Sequence, residues 1–268
     1  MKPKIVVIGS SNIDMIMKME RLPKEGETIT DAEYMQTFGG KGANQAVGAA
    51  RAGGNVTFVN CVGDDLFAET MVENFQKDGM DTRYIFREKG ISSGTALVMI
   101  GEGGKNYLSV SPGANYRLTP SYIDRVHPAI DEAEIVVLQY EILPETLKHI
   151  LDYCAEKNKK VLWNFAPARA FDINYLKKVS LLVVNETEAE ILSGFPVNNS
   201  ENTTSAIHKL MELGIDTVIL TLGEDGSLIG THEGIEKVEA FTVKAVDTTA
   251  AGDVYCGSLA VALVESNS

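Results

Sequence analysis

Cysteine is scarce: Cys61, Cys154 and Cys256 are the only three in 268 residues, odd in number and without a CxxC pair. That excludes a disulfide framework and suits buried free thiols in a reducing cytoplasm. The four histidines, His127, His149, His208 and His232, are scattered without metal-ligand spacing or a nucleophile motif, so they receive no chemistry at this stage. Long hydrophobic runs are also missing. The N-terminal run Ile5 to Ile8 is too short for a signal-peptide core, and no window approaches a transmembrane span, so no membrane partner is expected. Positive charge is in short supply: 24 Lys plus Arg stand against 37 Asp plus Glu, a formal charge of −13. Such a balance opposes non-specific attraction to nucleic acid, and a polyphosphate ligand would need local cations or a metal. No Pro/Gly/Ser-rich linker or low-complexity tract divides the chain, so residues 1–268 are expected to form one large α/β unit with an ample core.

What is present is a repeated alternation. Lys4 to Gly9 is a β-branched run ending in Gly, the mark of a central strand buried on both faces. Similar runs occupy Val56 to Val62, Ile135 to Leu138, Lys160 to Phe165, Leu181 to Val184 and Thr217 to Leu222. Between them lie helical patterns at Ala43 to Ala52, Phe67 to Lys77, Glu145 to Lys157, Glu186 to Leu192 and Thr204 to Leu213. Strand–helix alternation predicts a mostly parallel sheet covered on both sides, with ligands at the carboxyl ends of its strands. Two stretches, 13–38 and 94–110, alternate polar and apolar residues instead; they are expected to be antiparallel strands of a small β-sheet lid.

The most informative stretch runs from Val246 to Leu259, VDTTAAGDVYCGSL. It is expected at a strand-to-helix junction, where a helix start exposes unpaired N–H groups and a partial positive charge suited to a phosphoryl group. Asp253 falls in the first helical turn, the wrong charge to bind phosphate but the right one to take a proton from an attacking hydroxyl. Asp247, Thr248 and Asp253 could equally be helix caps. Other candidates follow strands. Asn12 and Asp14, two apart after the first strand, suit vicinal hydroxyls or an Asx turn. Gly39-Gly40-Lys41-Gly42-Ala43-Asn44 opens a helix with room for close ligand approach and is not a Walker A loop; Lys41 and Asn44 share a face, or Lys41 points to solvent. Glu141 follows the Ile135 strand. Asn185 and Glu188 fit either a water-mediated magnesium site or a capping box, and their spacing does not choose between these. Thr221 to Gly226 closes a strand in a Gly-rich turn with N–H groups for phosphates.

Taken together, GSSNID (9–14), GGKGANQA (39–46), NFAPAR (164–169), NETEAE (185–190) and DTTAAGD (247–253) occur in an order that resembles the ribokinase family of carbohydrate kinases, from Ile5 to about Leu263. The resemblance implies a three-layer α/β/α sandwich with a β-sheet lid that pairs two subunits as a homodimer. It implies ATP-dependent phosphorylation of a sugar hydroxyl, with D-ribose going to ribose 5-phosphate. Asp253 then matches the catalytic base, and the backbone of Ala250, Ala251 and Gly252 the anion hole. Asn12, Asp14, Gly40, Lys41, Asn44 and Glu141 match sugar contacts, Asn185 and Glu188 the magnesium-ordering motif, and Thr221, Gly223 and Gly226 the ATP-phosphate region. Asp247 and Thr249 match part of a potassium site.

Two departures accompany the match. Gly252-Asp253-Val254-Tyr255 stands where the family has GDTF, a change with little expected effect. The family's remaining potassium ligands and much of its adenine pocket lie beyond position 268, so weak ATP affinity and little potassium activation are expected of this chain. The alternatives are another sugar or nucleoside kinase, such as a fructokinase, or a catalytically impaired sugar-binding relic.

Overall fold

A computed structural model describes residues 3–104 and 106–266; Lys105, inside the expected 94–110 lid stretch, and residues 1–2 and 267–268 lie outside them. In chain order the elements are β1 (Lys4–Ile8), β2 (Asn12–Lys18), β3 (Glu33–Gly39), α1 (Lys41–Arg51), β4 (Asn55–Val62), α2 (Leu66–Lys77), β5 (Asp81–Arg87), β6 (Gly94–Ile100) and β7 (Asn106–Ser111). There follow α3 (Pro120–Asp124), α4 (His127–Glu132), β8 (Ile135–Leu138), α5 (Pro144–Glu156), β9 (Lys160–Asn164), β10 (Leu181–Asn185), α6 (Glu186–Ser193), α7 (Ser200–Glu212), β11 (Thr217–Thr221), β12 (Ser227–Thr231), β13 (Gly234–Val238) and α8 (Ala251–Glu265).

Nine strands form the central sheet in the order β13-β12-β11-β10-β9-β8-β1-β4-β5. From β11 to β5 every pairing is parallel; β12 and β13 add an antiparallel hairpin at one edge. The apolar runs read from the sequence are these parallel strands, and their period-two alternation feeds two cores. Val6 and Ile8 of β1 belong to one core with Ile123 of α3, Ile130 of α4, Ile150 of α5 and Ile207 of α7. Ile5 and Val7 face the other way, onto Ala46 of α1, Met71 of α2 and Ala260 of α8. The result is the expected α/β/α arrangement. All three cysteines are buried and free, and burial pushes the thiols of Cys61 and Cys154 up to about 12, which makes them inert.

The smaller sheet has the order β3-β2-β6-β7. The expectation of wholly antiparallel pairing needs correction. β2 pairs antiparallel with β3, and β6 with β7, but β2 and β6 are parallel. The chain enters β2 from β1 and β6 from β5, two parallel strands that finish at the same carboxyl end of the sheet, so their continuations set out in the same direction. Asn12 and Asp14 accordingly lie on β2, not in a loop. A second correction concerns the junction before α8. Residues 239–250 form no strand and are largely exposed, so α8 is entered from an irregular segment. β5, β12, β13, α3 and α4 leave little sequence signal: β5 and β13 are the sheet edges, β12 is the inner strand of the edge hairpin, and α3 and α4 are helices of one or two turns.

Candidate active site

The N-terminus of α8 is bare. Its N-cap, Ala250, adopts the left-handed conformation (φ 59°) and offers no side-chain cap. A non-glycine residue there carries strain of about 1 kcal/mol or more, of the kind that collects at functional turns. Asp247 does not cap the helix; its Oδ1 accepts from Thr249 N (2.8 Å) and Thr249 Oγ1 (2.6 Å) on an exposed turn. Ala251 N–H is committed to Thr248 O at 3.2 Å, so the next N–H groups of the first turn, those of Gly252 and Asp253, supply the unpaired donors. A Cβ added to Gly252 would meet nothing within 4 Å, because the residue faces open space.

Asp253 is 6% exposed and held at both oxygens. Asn44 Nδ2 donates to Oδ2 (3.1 Å) and Gln45 Nε2 to Oδ1 (3.2 Å), both from α1. Gln139 Nε2 donates to Gln45 Oε1 (2.8 Å), and Gln45 Nε2 also reaches Asn164 Oδ1 (3.2 Å). The helices meet closely because their facing residues are small: a Cβ on Gly257 would lie 2.3 Å from Gln45 O. Burial raises the Asp253 pKa above the usual carboxylate range, while the Lys41 charge and the two amides oppose the rise. This carboxylate is therefore a positioned acceptor, not a helix cap.

Asp253 opens onto a cleft of about 220 Å³ whose walls include Lys41, Asn164, Asn185, Glu188, Thr221 and Gly252. The capping-box reading of Asn185 and Glu188 is observed, and it leaves both side chains on the wall of the cleft. Glu188 N donates to Asn185 Oδ1 and Asn185 N to Glu188 Oε2, each at 2.9 Å, a complete capping box whose side chains also wall the cleft. Burial raises the Glu188 pKa despite the bond from Asn185. A buried carboxylate and an amide oxygen are hard donors of the sort magnesium takes, so these residues fit that ion. Thr221 reaches the cleft, but Gly223 and Gly226 do not line it. Gly226 (φ 87°) instead serves the β11–β12 turn, where a Cβ would lie 2.0 Å from Val238 O. Asp247 and Thr249 do not line the cleft; they bond to each other on the exposed turn that precedes α8.

Toward the smaller sheet, Glu141 Oε2 accepts from Lys41 N (2.9 Å) and from Ser10 Oγ. Gly40 (φ 91°) permits this turn, since a Cβ there would sit 2.7 Å from Ser11 Cα. Asp14 lies against Gly39, where a Cβ would come within 2.2 Å of Asp14 Oδ2. Burial, and then the neighbouring charge of Glu141, push Asp14 up to about 6. Its Oδ1 is buried without a hydrogen-bond partner. Asn12 is held by Asn115, whose Nδ2 donates to Asn12 Oδ1 (2.9 Å) and whose Oδ1 accepts from Ser11 N (2.9 Å). Gln45, Asn115, Gln139 and Asn164 carry no individual signal in the sequence, although Gln45 and Asn164 lie within the GGKGANQA and NFAPAR motifs.

Residues 2–268 match the family model described as pfkB family carbohydrate kinase. Among curated proteins, the chain is 38% identical over 263 residues to the deoxyribokinase of Salmonella typhi, covering 98% of this chain and 86% of that one. It is 35% identical over 267 residues to the ribokinase of Staphylococcus aureus, covering 99% and 88%. Among solved structures, Arabidopsis thaliana ribokinase complexed with ribose and ATP superposes with a TM-score of 0.93 at 31% identity, covering 99% of this chain and 87% of that one. A phosphotransferase-like cleft and a family match over nearly the whole chain agree, and the chain belongs to the pfkB family of carbohydrate kinases, among its ribokinase-like members.

Proposed function

We propose that this carbohydrate kinase transfers the γ-phosphoryl group of ATP to the 5-hydroxyl of D-ribose. The observation that carries the reading is Asp253: a buried carboxylate, held by two amides, set in the first turn of an uncapped helix. Asp253 takes the proton of the sugar hydroxyl as that oxygen forms its bond to the γ-phosphorus. The bond from phosphorus to the β–γ bridging oxygen breaks, and ADP leaves with the electron pair. The N–H groups of Gly252 and Asp253 and the Lys41 ammonium stabilise the transferring group. Asn185 and Glu188 would hold magnesium through water, and that ion, when bound, neutralises phosphate charge. Asp14, Asn12 and Glu141 orient the sugar. A non-catalytic sugar-binding protein would have no use for so elaborately held a carboxylate.

The smaller sheet, residues 13–38 and 94–110, acts in this reading as a lid inserted in one kinase unit, excluding water during transfer. It also exposes Tyr34, Leu97, Tyr107 and Leu108, 55–64% accessible, a surface suited to a second copy of the chain. No described helix is long and apolar enough to cross a membrane, and the free thiols suit a reducing cytoplasm. A second substrate, 2-deoxyribose, is favoured by the 38% identity to a deoxyribokinase. Coupled ADP-release assays over pentoses, hexoses and nucleosides test the choice. Ribose should show the highest kcat/KM; a higher value for deoxyribose, fructose or a nucleoside would replace it.

A further inference from the structure

The histidines that look scattered in sequence do not all remain so. Asp124 ends α3, His127 begins α4, and His149 lies on α5; their ligand atoms all fall within 4.8 Å of one another. His149 Nε2 is 2.7 Å from Asp124 Oδ1, and His127 Nε2 is 3.7 Å from the same oxygen. That single oxygen satisfies His149. It leaves His127 Nε2 buried without a hydrogen-bond partner. The ring of His127 is fixed by parallel stacking on Tyr153 (centroids 3.5 Å apart, 3° between planes), and Tyr153 is itself tied by its hydroxyl to Asp131 Oδ1 (2.9 Å). An immobilised imidazole nitrogen without a hydrogen-bond partner, 3.7 Å from a carboxylate oxygen and within reach of a second imidazole, is in position to offer its lone pair to a cation.

We propose that Asp124, His127 and His149 form a binding site for a borderline divalent transition cation, of which Zn²⁺ is the representative. Two imidazoles and one carboxylate are a three-ligand zinc set, with a water completing the tetrahedron. Bonds of about 2.0–2.2 Å place tetrahedral donors roughly 3.3–3.5 Å apart, so the observed 2.7 and 3.7 Å need only small side-chain rotations to converge. The half-exposed Asp124 side chain gives the ion an entry path and leaves room for that water. The net charge of −13 favours cations generally, but nitrogen ligands select this class over the magnesium suited to the all-oxygen cleft. The cluster is independent of catalysis by position. α3, α4 and α5 pack on one face of the central sheet and α8, with Asp253, on the other.

Equilibrium dialysis of the chain against ZnCl₂, with millimolar Mg²⁺ occupying oxygen sites, tests the proposal. The wild type should bind one Zn²⁺ with micromolar affinity or better, and His149→Gln and His127→Gln should each weaken binding by about 10- to 100-fold or more. Co²⁺ in place of Zn²⁺ should give visible bands of a tetrahedral site that are lost in both variants. His149→Gln, at a half-exposed position, should keep the metal-free melting temperature and the phosphoryl-transfer rate of the wild type, which separates loss of the site from misfolding and from any failure of the kinase reading. Absence of stoichiometric binding at 100 µM Zn²⁺ (roughly a hundredfold above the affinity expected), or equal binding by both variants, overturns the site.

Discussion

Asp14 and Asp253 are two carboxylates withdrawn from water within reach of the same neighbour, Glu141, and both are raised in pKa chiefly by burial. They differ in what holds them. Asp253 receives an amide at each oxygen, and one of those amides is itself locked by Gln139. Asp14 keeps a buried Oδ1 with no partner at all. A group whose orientation must be fixed before reaction is satisfied by the protein; a group that waits for a ligand hydroxyl is left wanting one. The α8 end of the cleft is thus preorganised, and on the proposed reading the end under the smaller sheet is completed by the sugar.

The largest expected effect falls on the preorganised end. Asp253→Asn should lower kcat by about 100- to 10,000-fold, roughly 3 to 5 kcal/mol of barrier, while leaving ribose KM nearly unchanged. A variant retaining more than about a tenth of the wild-type kcat removes Asp253 from the proton transfer.

At the other end, Asp14→Ala should raise ribose KM by about 10- to 100-fold, the loss of one charge-assisted hydrogen bond, with a smaller effect on kcat. A rise in the KM for ATP alone would reverse the assignment of the two ends. The same residue sets a pH signature. With its folded pKa about 6 against an ordinary value of 3.8, Asp14 is protonated by acid through that window, so ribose KM should climb as pH falls below about 6. The stability sign is opposite to that of a salt-bridged carboxylate. The native state binds the extra proton between 3.8 and about 6, so the ionised form costs stability above that window. Asp14→Asn should therefore melt higher than wild type at pH 8, with the gain fading as pH falls through 6 toward 4. An unchanged pH profile would mean that Asp14 is better solvated than its burial indicates.

Two glycines of α8 sharpen the contrast between ligand space and packing space. Gly252→Ala adds a methyl where nothing in the protein stands within 4 Å, so melting should be unaffected while kcat/KM falls by about 10-fold or more through the crowded phosphoryl site. Gly257→Ala puts a methyl 2.3 Å from Gln45 O and 2.7 Å from Ala49 N. It should destabilise by about 1–3 kcal/mol and, by displacing α1, loosen the grip of Asn44 and Gln45 on Asp253. Differential scanning calorimetry beside the kinase assay distinguishes them; a lowered melting temperature for Gly252→Ala would place that residue in the packing.

Legibility followed burial. The parallel strands were readable because residues such as Ile5, Val6, Val7 and Ile8 are buried on both faces and leave an uninterrupted apolar run. β5 and β13 lie at the sheet edges with half-polar patterns, and α3 and α4 are too short to show a period, so they left little trace. Within the site, the charged or glycine-marked positions Asp14, Lys41, Glu188 and Asp253 stood out at strand ends and helix starts. The amides did not. Gln45, Asn115, Gln139 and Asn164 are uncharged and fit equally well on a solvated surface, and nothing local announces which of them will be buried.

By itself the sequence determined the strand–helix alternation, the class of fold and the positions where a carboxylate meets a helix start, because hydrophobic period and local capping chemistry act over a few residues. Tertiary structure alone decided that β2 and β6 run parallel, that Asp253 is gripped from α1 more than 200 positions earlier, that Asp14 is left with an unanswered oxygen, and that His127 and His149 share Asp124. Those outcomes depend on which distant backbones are brought side by side. An orphaned or satisfied polar atom is a property of the neighbours it meets after burial, and no local pattern along the chain specifies them.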